Sequence, residues 1–343
     1  RGEIACRIIS TAKRMGYTTI VPVSDVDKNS RAARLADIAY PIGGDTPASG
    51  YLDQDKLLAA IRETSADSVH PGYGFLAENA EFASRIEAAG VAWVGPSAEV
   101  ITWMGDKREA RIRVAKLGGP CVPGYDGADQ EDSVLREESK SIGLPLMLKA
   151  AHGGGGRGMR RIESWDDFDE ALRAARREAL SAFGNDSLIL ERAIDRARHV
   201  EVQVFGNGKG DAIHLYERDC SIQRRHQKVV EEAPCIAISP SGRADLLATA
   251  VEITAKLNYR GAGTLEFLLA PNGDFFFLEM NTRIQVEHPV SECVTGLDLV
   301  EMQLRLAEGD TELPPQSSIR LNGHAIEVRV YAEDPASGYL PSS

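Results

Sequence analysis

The chain has 343 residues, of which 43% are hydrophobic and 26% charged, and its formal net charge is −12. This length predicts two or three domains with ample buried core, and the acidic balance excludes nonspecific nucleic-acid binding, which needs a basic footprint. No membrane span is predicted, because no apolar run reaches the roughly 18–20 residues that a bilayer requires.

Five cysteines are scattered along the chain without any Cys-x-x-Cys pair. Neither a disulfide framework nor a zinc site is therefore predicted, and a reducing compartment is expected. We expect the cytoplasm, and the mitochondrial matrix stays open as an alternative because residue 1 is Arg and not Met. Both ends of the sequence are interpreted as cut, since the chain stops without a closing helix or strand.

In the first 120 residues, apolar positions at helical spacing alternate with short β-branched runs. Helices are predicted at 2–15, 52–62 and 78–89, and strands at 18–23, 68–70 and 91–94. This alternation predicts a parallel sheet covered by helices. Because no strand precedes the first helix, a strand is expected upstream of residue 1.

Glycine and proline near residue 120 mark the first predicted boundary. The next unit is predicted to contain two helices, two strands and a glycine-rich loop. From residue 199 onwards, strict alternation predicts an antiparallel sheet with helices at 244–257 and 297–307. The predicted domains are 1–120, 121–193 and 194–343.

Four consecutive glycines, Gly153, Gly154, Gly155 and Gly156, follow a predicted strand that ends with Lys149. Such a run exposes backbone N–H groups without side-chain shielding, which suits phosphate oxygens. The lysine would add a positive charge beside them. The spacing matches neither a Walker A loop nor a dinucleotide fingerprint, and a flexible surface loop is the alternative interpretation.

The sequence Pro-Asn-Gly-Asp at 271–274 lies between two apolar runs and predicts a hairpin with Asn-Gly as a two-residue type I′ turn. In that register Glu266 lies directly opposite Glu279, and Asn281 shares their face. Like charges opposite each other cost stability, so a neutralising Mg²⁺ ion with hard oxygen ligands is predicted. A solvated pair, or a register slipped by one residue, is the alternative.

Two polar segments are further candidates. Residues 279–289 combine Arg283, which can bind a carboxylate or phosphate through two parallel hydrogen bonds, with Glu287, a candidate general base. Residues 223–228 (Gln-Arg-Arg-His-Gln-Lys) are basic in an acidic chain and predict a pocket for a small anion such as phosphate or bicarbonate. For both, a solvated surface segment is the alternative.

Together these motifs resemble the biotin carboxylase family of the ATP-grasp superfamily. The resemblance runs in order through the whole chain, at 1–5, 70–79, 104–107, 149–159, 198–201, 217–234, 279–289 and 332–335. It implies an α/β and α+β ATP-grasp fold: an N-terminal Rossmann-like domain with a parallel sheet, a small α+β lid and a C-terminal domain with an antiparallel sheet.

The resemblance also implies a reaction. ATP phosphorylates bicarbonate to carboxyphosphate, which yields CO₂ for carboxylation of N1′ of biotin. It implies ATP and Mg²⁺ (or Mn²⁺) as cofactors and biotin as a carrier-bound substrate. Because this sequence has no Met-Lys-Met biotinylation site, a biotin carboxyl carrier domain and a carboxyltransferase are expected as partners, and the family commonly forms homodimers.

The resemblance assigns roles at matching positions. The expected ATP-binding residues are Lys107, Lys149, Gly153, Gly154, Gly155, Gly156, Glu191, Ile194, His199, Gln223, His226 and Leu268. The expected metal ligands are Glu266, Glu279 and Asn281. Bicarbonate or biotin would be held by Lys228, Arg283, Gln285, Val286 and Arg329, and the catalytic residues would be Glu287, Arg283, Lys228 and Arg329.

Two other functions stay open at this point. One is another bicarbonate-using ATP-grasp ligase, such as a carbamoyl phosphate synthetase unit, and the other is a nucleotide-binding module without turnover. The run Arg-Ile-Gln-Val-Glu-His at 283–288 favours the biotin carboxylase interpretation over the first. The presence of every proposed catalytic side chain counts against the second.

Overall fold

The computed structural model describes residues 2–151, 159–225 and 227–341. Its helices are α1 (Gly2–Arg14), α2 (Arg31–Leu35), α3 (Gln54–Thr64), α4 (Ala80–Ala88), α5 (Ala98–Gly105), α6 (Lys107–Lys116), α7 (Asp132–Ile142), α8 (Phe168–Phe183), α9 (Pro240–Lys256), α10 (His288–Thr295) and α11 (Leu299–Ala307). Its strands are β1 (Ile20–Val23), β2 (Ile38–Pro41), β3 (Ser68–Val69), β4 (Ala92–Trp93), β5 (Gly124–Tyr125), β6 (Leu146–Ala150), β7 (Arg160–Ile162), β8 (Leu188–Arg192), β9 (Arg198–Asn207), β10 (Ala212–Arg224), β11 (Gln227–Ala233), β12 (Arg260–Leu269), β13 (Phe275–Asn281), β14 (Ala325–Val328), β15 (Glu333–Asp334) and β16 (Leu340–Pro341).

The N-terminal region contains the predicted parallel strands. β1 pairs with β2, and β3 pairs with β4, both in parallel. Polar side chains start the helices between them: Asp53 accepts hydrogen bonds at the first turn of α3, and Asn79 does so at α4. The expected Rossmann-like alternation of strand and helix is confirmed, although the sequence did not predict α2, β2, α5 or α6.

A second sheet is antiparallel and has four strands in the order β5–β8–β6–β7. Helices α7 and α8 cover it through a core of fully buried side chains that includes Leu135, Leu148 and Phe168. Helix α8 ends at Gly184, which adopts φ of 71° in the left-handed region that glycine tolerates. Lys149 and Glu191 lie on the two central strands of this four-stranded sheet, β6 and β8.

The largest sheet is antiparallel, as predicted, with six strands in the order β13–β12–β9–β10–β11–β14. One face is apolar and packs against α9, with Val202, Phe267 and Leu246 fully buried between them. The other face carries charged and amide side chains beneath α10. This division of faces positions the candidate site, because every second residue of each central strand points to it.

The turn between β12 and β13 differs from the prediction. Ala270 N donates to Asp274 O at 2.8 Å, and Gly273 has φ of 93°, so the loop has three residues and not two. Phe267 consequently pairs with Phe277 and not with the residue after it. An irregularity between this pair and the next restores the predicted register, and Glu266 does lie opposite Glu279.

Among the residues that the structure describes, no helix combines the length and apolar character needed to cross a bilayer.

Candidate active site

Four charged side chains form a row across the large sheet. In the strand register, Arg218 of β10 pairs with Glu201 of β9, Glu201 with Glu266 of β12, and Glu266 with Glu279 of β13. Directly paired residues share a face of an antiparallel sheet. Arg218 and Glu201 are completely buried, so both charges depend on partners within the protein.

Lys228 of β11 connects three carboxylates. Its Nζ donates to Glu266 Oε1 and Glu287 Oε1, each at 2.7 Å, and also contacts Glu201 Oε2. An ammonium group has three donors, and all are used. Burial opposes its charge, but the three carboxylates outweigh burial and hold the pKa of Lys228 well above its ordinary value.

Glu287 directly precedes α10 and is 2% exposed. Its second oxygen, Oε2, accepts a hydrogen bond from Arg329 Nη2 at 2.9 Å. Burial favours the neutral acid, but the charges of Lys228 and Arg218 outweigh burial and lower the pKa of Glu287 to about 2. The carboxylate is therefore ionised at physiological pH, which is the form that can accept a proton.

Glu266 is the centre of a second set of contacts. His199 Nε2 lies 2.9 Å from its Oε2, while Asn281 Nδ2 and Gln285 Nε2 donate to its Oε1 at 2.8 and 3.1 Å. Burial again opposes ionisation, but Lys228 and His199 hold the pKa of Glu266 well below its ordinary value. The predicted polar segment at 279–289 therefore reaches the same place as the basic segment at 223–228, through Asn281 and Gln285 of the first and Lys228 of the second.

The predicted metal ligands fit a hard divalent cation. Glu266 and Glu279 are directly opposite on the adjacent strands β12 and β13, and the Asn281 amide donates to Glu266. Lys107 Nζ contacts Glu279 Oε2, so an ammonium group already compensates this carboxylate. Carboxylate oxygens at opposing positions are the ligands that Mg²⁺ prefers. The two carboxylates fit this ion, and Asn281 would join them by turning its Oδ1 away from Arg283.

Arg283 donates hydrogen bonds to one carboxylate and one amide oxygen. Its Nε donates to Glu78 Oε2 at 2.8 Å, and its Nη2 donates to Asn281 Oδ1 at 2.9 Å. Val286 is half-buried close by in sequence. Arg283 thus lies beside Asn281, close to the opposed carboxylates, and its ion pair with Glu78 was not predicted.

A second group of charges lies between the four-stranded sheet and α6. Glu191 contacts Lys149 Nζ through Oε2 and accepts from Arg111 Nη1 at 3.0 Å through Oε1. Lys107 joins this group to the row, because its backbone N donates to Ala151 O at 3.1 Å while its side chain contacts the large sheet. Three predicted ATP-binding residues are therefore brought towards the opposed carboxylates.

The other predicted ATP-binding residues have different placements. Leu268 is half-buried and pairs with His199 in the sheet register, and Ile194 is half-buried just after β8. Gln223 donates through Nε2 to Cys220 O of the same strand, β10, at 2.9 Å. The four glycines and His226 lie outside the described residues.

Sequence reasoning missed four residues of the site: Arg111, Glu78, Glu201 and Arg218. One signal was available for Glu201, because it is two positions from His199 in a predicted strand and so shares its face. The single donor atoms of His199, Glu201 and Glu266 lie within 4.8 Å of one another. The other three depend on long-range pairing that spacing alone does not reveal.

A further carboxylate pair lies behind Arg329. Glu231 of β11 and Glu327 of β14 are directly opposite in the register, and Glu231 Oε1 is 3.4 Å from Arg329 Nε. Within the described part of the chain, neither oxygen of Glu231 has a hydrogen-bond partner. Burial, with the nearby Glu287 second, raises the pKa of Glu231 to about 7.

Replacing Glu231 with glutamine is expected to stabilise the protein at pH 8 and not at pH 5. A carboxyl group whose pKa is higher in the folded than in the unfolded protein contributes stability at pH values below its unfolded pKa. That contribution is lost as the pH rises through the folded pKa of about 7. Glutamine carries no such penalty, so the free energy of unfolding should rise by about 1–2 kcal/mol at pH 8.

The measurement is urea unfolding of both proteins at the two pH values. Glu170→Gln on the exposed side of α8 is the control, with an expected change within about 0.5 kcal/mol at either pH. An equal stabilisation by Glu231→Gln at pH 5 and pH 8 would show that ionisation of Glu231 is not the cause.

Two family descriptions match the chain. Residues 1–101 match "Biotin carboxylase, N-terminal domain", and residues 106–314 match "Carbamoyl-phosphate synthase L chain, ATP binding domain". Biotin carboxylase of Haemophilus influenzae is 48% identical over 343 residues, which is all of this chain and 76% of that protein. The mitochondrial methylcrotonoyl-CoA carboxylase subunit alpha of Mus musculus is also 48% identical, and this chain spans about half of its length (48%).

Solved structures agree with these matches. A complex of Campylobacter jejuni biotin carboxylase with a β,γ-ATP ligand superposes with a TM-score of 0.96 at 44% identity, covering 99% of this chain and 76% of that one. The biotin carboxylase domain of Hydrogenobacter thermophilus 2-oxoglutarate carboxylase, bound to MgADP, ADP and bicarbonate, gives 0.95 at 42% identity, covering 99% and 75%. With its ATP-grasp fold, this chain belongs to the biotin carboxylase family.

Proposed function

We propose that this chain catalyses the ATP- and Mg²⁺-dependent carboxylation of biotin on a carrier protein, with bicarbonate as the carbon source and carboxyphosphate as the intermediate. This is the first half-reaction of an acyl-CoA carboxylase or a related carboxylase. The observation that carries the proposal is the contact of one ammonium group, Lys228, with both Glu287 and Glu266. It joins a candidate base to the candidate metal ligands.

Bicarbonate would bind beside Lys228, with Arg283, the Gln285 amide and the backbone of Val286 as further donors. In the absence of an anion, Lys228 helps to hold the pKa of Glu287 at about 2. A bound bicarbonate would partly neutralise the positive charge of Lys228. The pKa of Glu287 should therefore rise when bicarbonate is bound, and the carboxylate becomes a stronger base at that moment. It accepts the bicarbonate proton as a bicarbonate oxygen attacks the γ-phosphorus of ATP and ADP departs.

At the nucleotide end, Lys107 and Lys149 would neutralise phosphate charge, and Glu191 would accept a hydrogen bond from the adenine amino group. His199, Ile194, Gln223, His226, Leu268 and Gly153 to Gly156 complete the proposed ATP site. Mg²⁺, held by Glu266, Glu279 and Asn281, would supply further neutralisation of the transferred phosphoryl group. Phosphoryl transfer depends mainly on such positioning and charge.

Arg329 would act in the second step. It already donates to Glu287 Oε2, and its guanidinium group can bind an oxyanion such as carboxyphosphate or the enolate of biotin. Once Glu287 has taken a proton, its attraction for Arg329 falls. The cation is then available to the developing negative charge.

The wider assignments are part of the proposal. We propose domains at 1–120, 121–193 and 194–343, with a biotin carboxyl carrier domain and a carboxyltransferase as partners and a homodimer as the assembly. The Haemophilus and Hydrogenobacter relatives support the reaction class, and the latter is named as a domain dimer. We place the chain in the cytoplasm, with the mitochondrial matrix as the alternative that the mouse relative's name supports.

The test is ADP release from Mg²⁺-ATP and bicarbonate, with and without free biotin, using the full-length protein. Stimulation by biotin is the expected result. Activity that requires an amine donor and ignores biotin would instead favour a carbamoyl phosphate synthetase-like ligase. ATP binding without any turnover would favour a nucleotide-binding module.

A further inference from the structure

Arg218 is a completely buried charge that the proposed reaction steps do not use. All five of its N–H donors have acceptors. Nε donates to Glu201 Oε1 at 2.7 Å, Nη1 to Gln203 Oε1 at 2.7 Å and Ser291 Oγ at 2.8 Å, and Nη2 to Gln285 Oε1 at 2.7 Å and Thr264 Oγ1 at 3.4 Å. These acceptors come from β9, β12, α10 and the segment before α10.

These contacts dictate the orientation of two groups at the candidate bicarbonate site. Because a guanidinium group only donates, the oxygen of the Gln285 amide must face Arg218. Its Nε2 then faces the other way and donates to Glu266 Oε1. Glu201 is oriented in the same way, because its Oε1 accepts from Arg218 and its Oε2 accepts from Lys228.

We propose that Arg218 is a positioning residue that presents the N–H side of the Gln285 amide to bicarbonate and holds Glu201 against Lys228. The inference rests on the proposed function. Without the guanidinium group, the Gln285 amide could turn by 180° and present its oxygen to the anion. A carbonyl oxygen facing bicarbonate repels it, so binding of bicarbonate should suffer while binding of ATP should not.

A lysine at position 218 cannot make the same set of hydrogen bonds. An ammonium group has three donors and would leave at least two of the five acceptors without a partner. Its charge is also concentrated at one point, whereas the planar guanidinium group reaches four separate segments at once. Arg218→Lys keeps the positive charge beside Glu201, so it separates geometry from charge.

The experiment compares Arg218→Lys with the unmodified full-length protein in biotin-stimulated ADP release. The expected result is a rise of about 30-fold in the KM for bicarbonate, with the KM for ATP within about twofold and a smaller change in kcat. Arg243→Lys is the matched control, because Arg243 donates to the buried Glu217 on the opposite face of β10. Its bicarbonate KM should stay within about twofold of the unmodified value.

A double-mutant cycle with Gln285→Ala tests the route of the effect. In the Gln285→Ala background only the smaller effect through Glu201 remains, so Arg218→Lys should raise the bicarbonate KM there by no more than about threefold. A full additional 30-fold rise there would overturn the proposal, as would equal rises in both KM values. Should Arg218→Lys fail to fold, Ser291→Ala removes one acceptor and should raise the bicarbonate KM by about threefold, and an unchanged value would overturn the inference.

The two proposals fail separately. An unmodified protein without biotin-stimulated ADP release contradicts the proposed function. An active unmodified protein whose Arg218→Lys variant keeps its bicarbonate KM contradicts only the role of Arg218.

Discussion

Replacing Glu287 with glutamine is expected to lower biotin-stimulated ATP turnover by about a thousandfold, while ATP binding changes by less than about twofold. Glu287 is the carboxylate that lies between Lys228 and Arg329, and it is ionised because the charges of Lys228 and Arg218, with a smaller contribution from Arg329, outweigh its burial. Glutamine keeps the size of the side chain but cannot accept the proton of bicarbonate.

The measurement pairs ADP release with a direct titration of ATP binding. Glu292→Gln serves as the control, because Glu292 lies on α10, the helix that Glu287 directly precedes, and contacts Arg7 away from Lys228. It should keep turnover within about threefold. If Glu287→Gln lost ATP binding and turnover to the same extent, a structural role would replace that of a base.

The opposed carboxylates show how far the sequence predicts the site. The alternation of β12 and β13 placed Glu266 and Glu279 on one face, and this was correct although the assumed turn was wrong. The three-residue loop and the irregularity near Phe277 each shift the register by one residue in opposite senses. Burial of one face selects this pairing, because a slip of one residue would expose the apolar side chains packed on α9.

Other parts of the site were not predictable from local patterns. Helix α6 has only a narrow buried stripe, with Ala110, Arg111 and Val114 buried among charged residues. Its periodicity is therefore weak, and the contact of Arg111 with Glu191 joins positions 80 apart in sequence. Arg218 looks like any charged residue of a strand until four other segments are known to surround it. Long-range pairing decides these roles.

Replacing Glu279 with glutamine is expected to raise the Mg²⁺ concentration needed for half-maximal turnover by about 10–100-fold. Glu279 is one of the two opposed carboxylates, and its amide analogue would be a weaker, uncharged ligand. The same change frees Lys107 from its ion pair with Glu279. Because that lysine is then available to phosphate, ATP binding in the absence of Mg²⁺ should be maintained or strengthened.

The Mg²⁺ titration should be run on turnover and on ATP binding, first after chelation and then with added ion. Asp274→Asn is the matched control, since this exposed carboxylate lies at the other end of the same hairpin, and its Mg²⁺ requirement should not change. A variant whose turnover fell by the same factor at every Mg²⁺ concentration, with an unchanged Mg²⁺ midpoint, would argue that Glu279 acts through Lys107 alone. A shifted midpoint with full recovery at high Mg²⁺ would instead identify Glu279 as a ligand, because excess ion then compensates for the weaker donor.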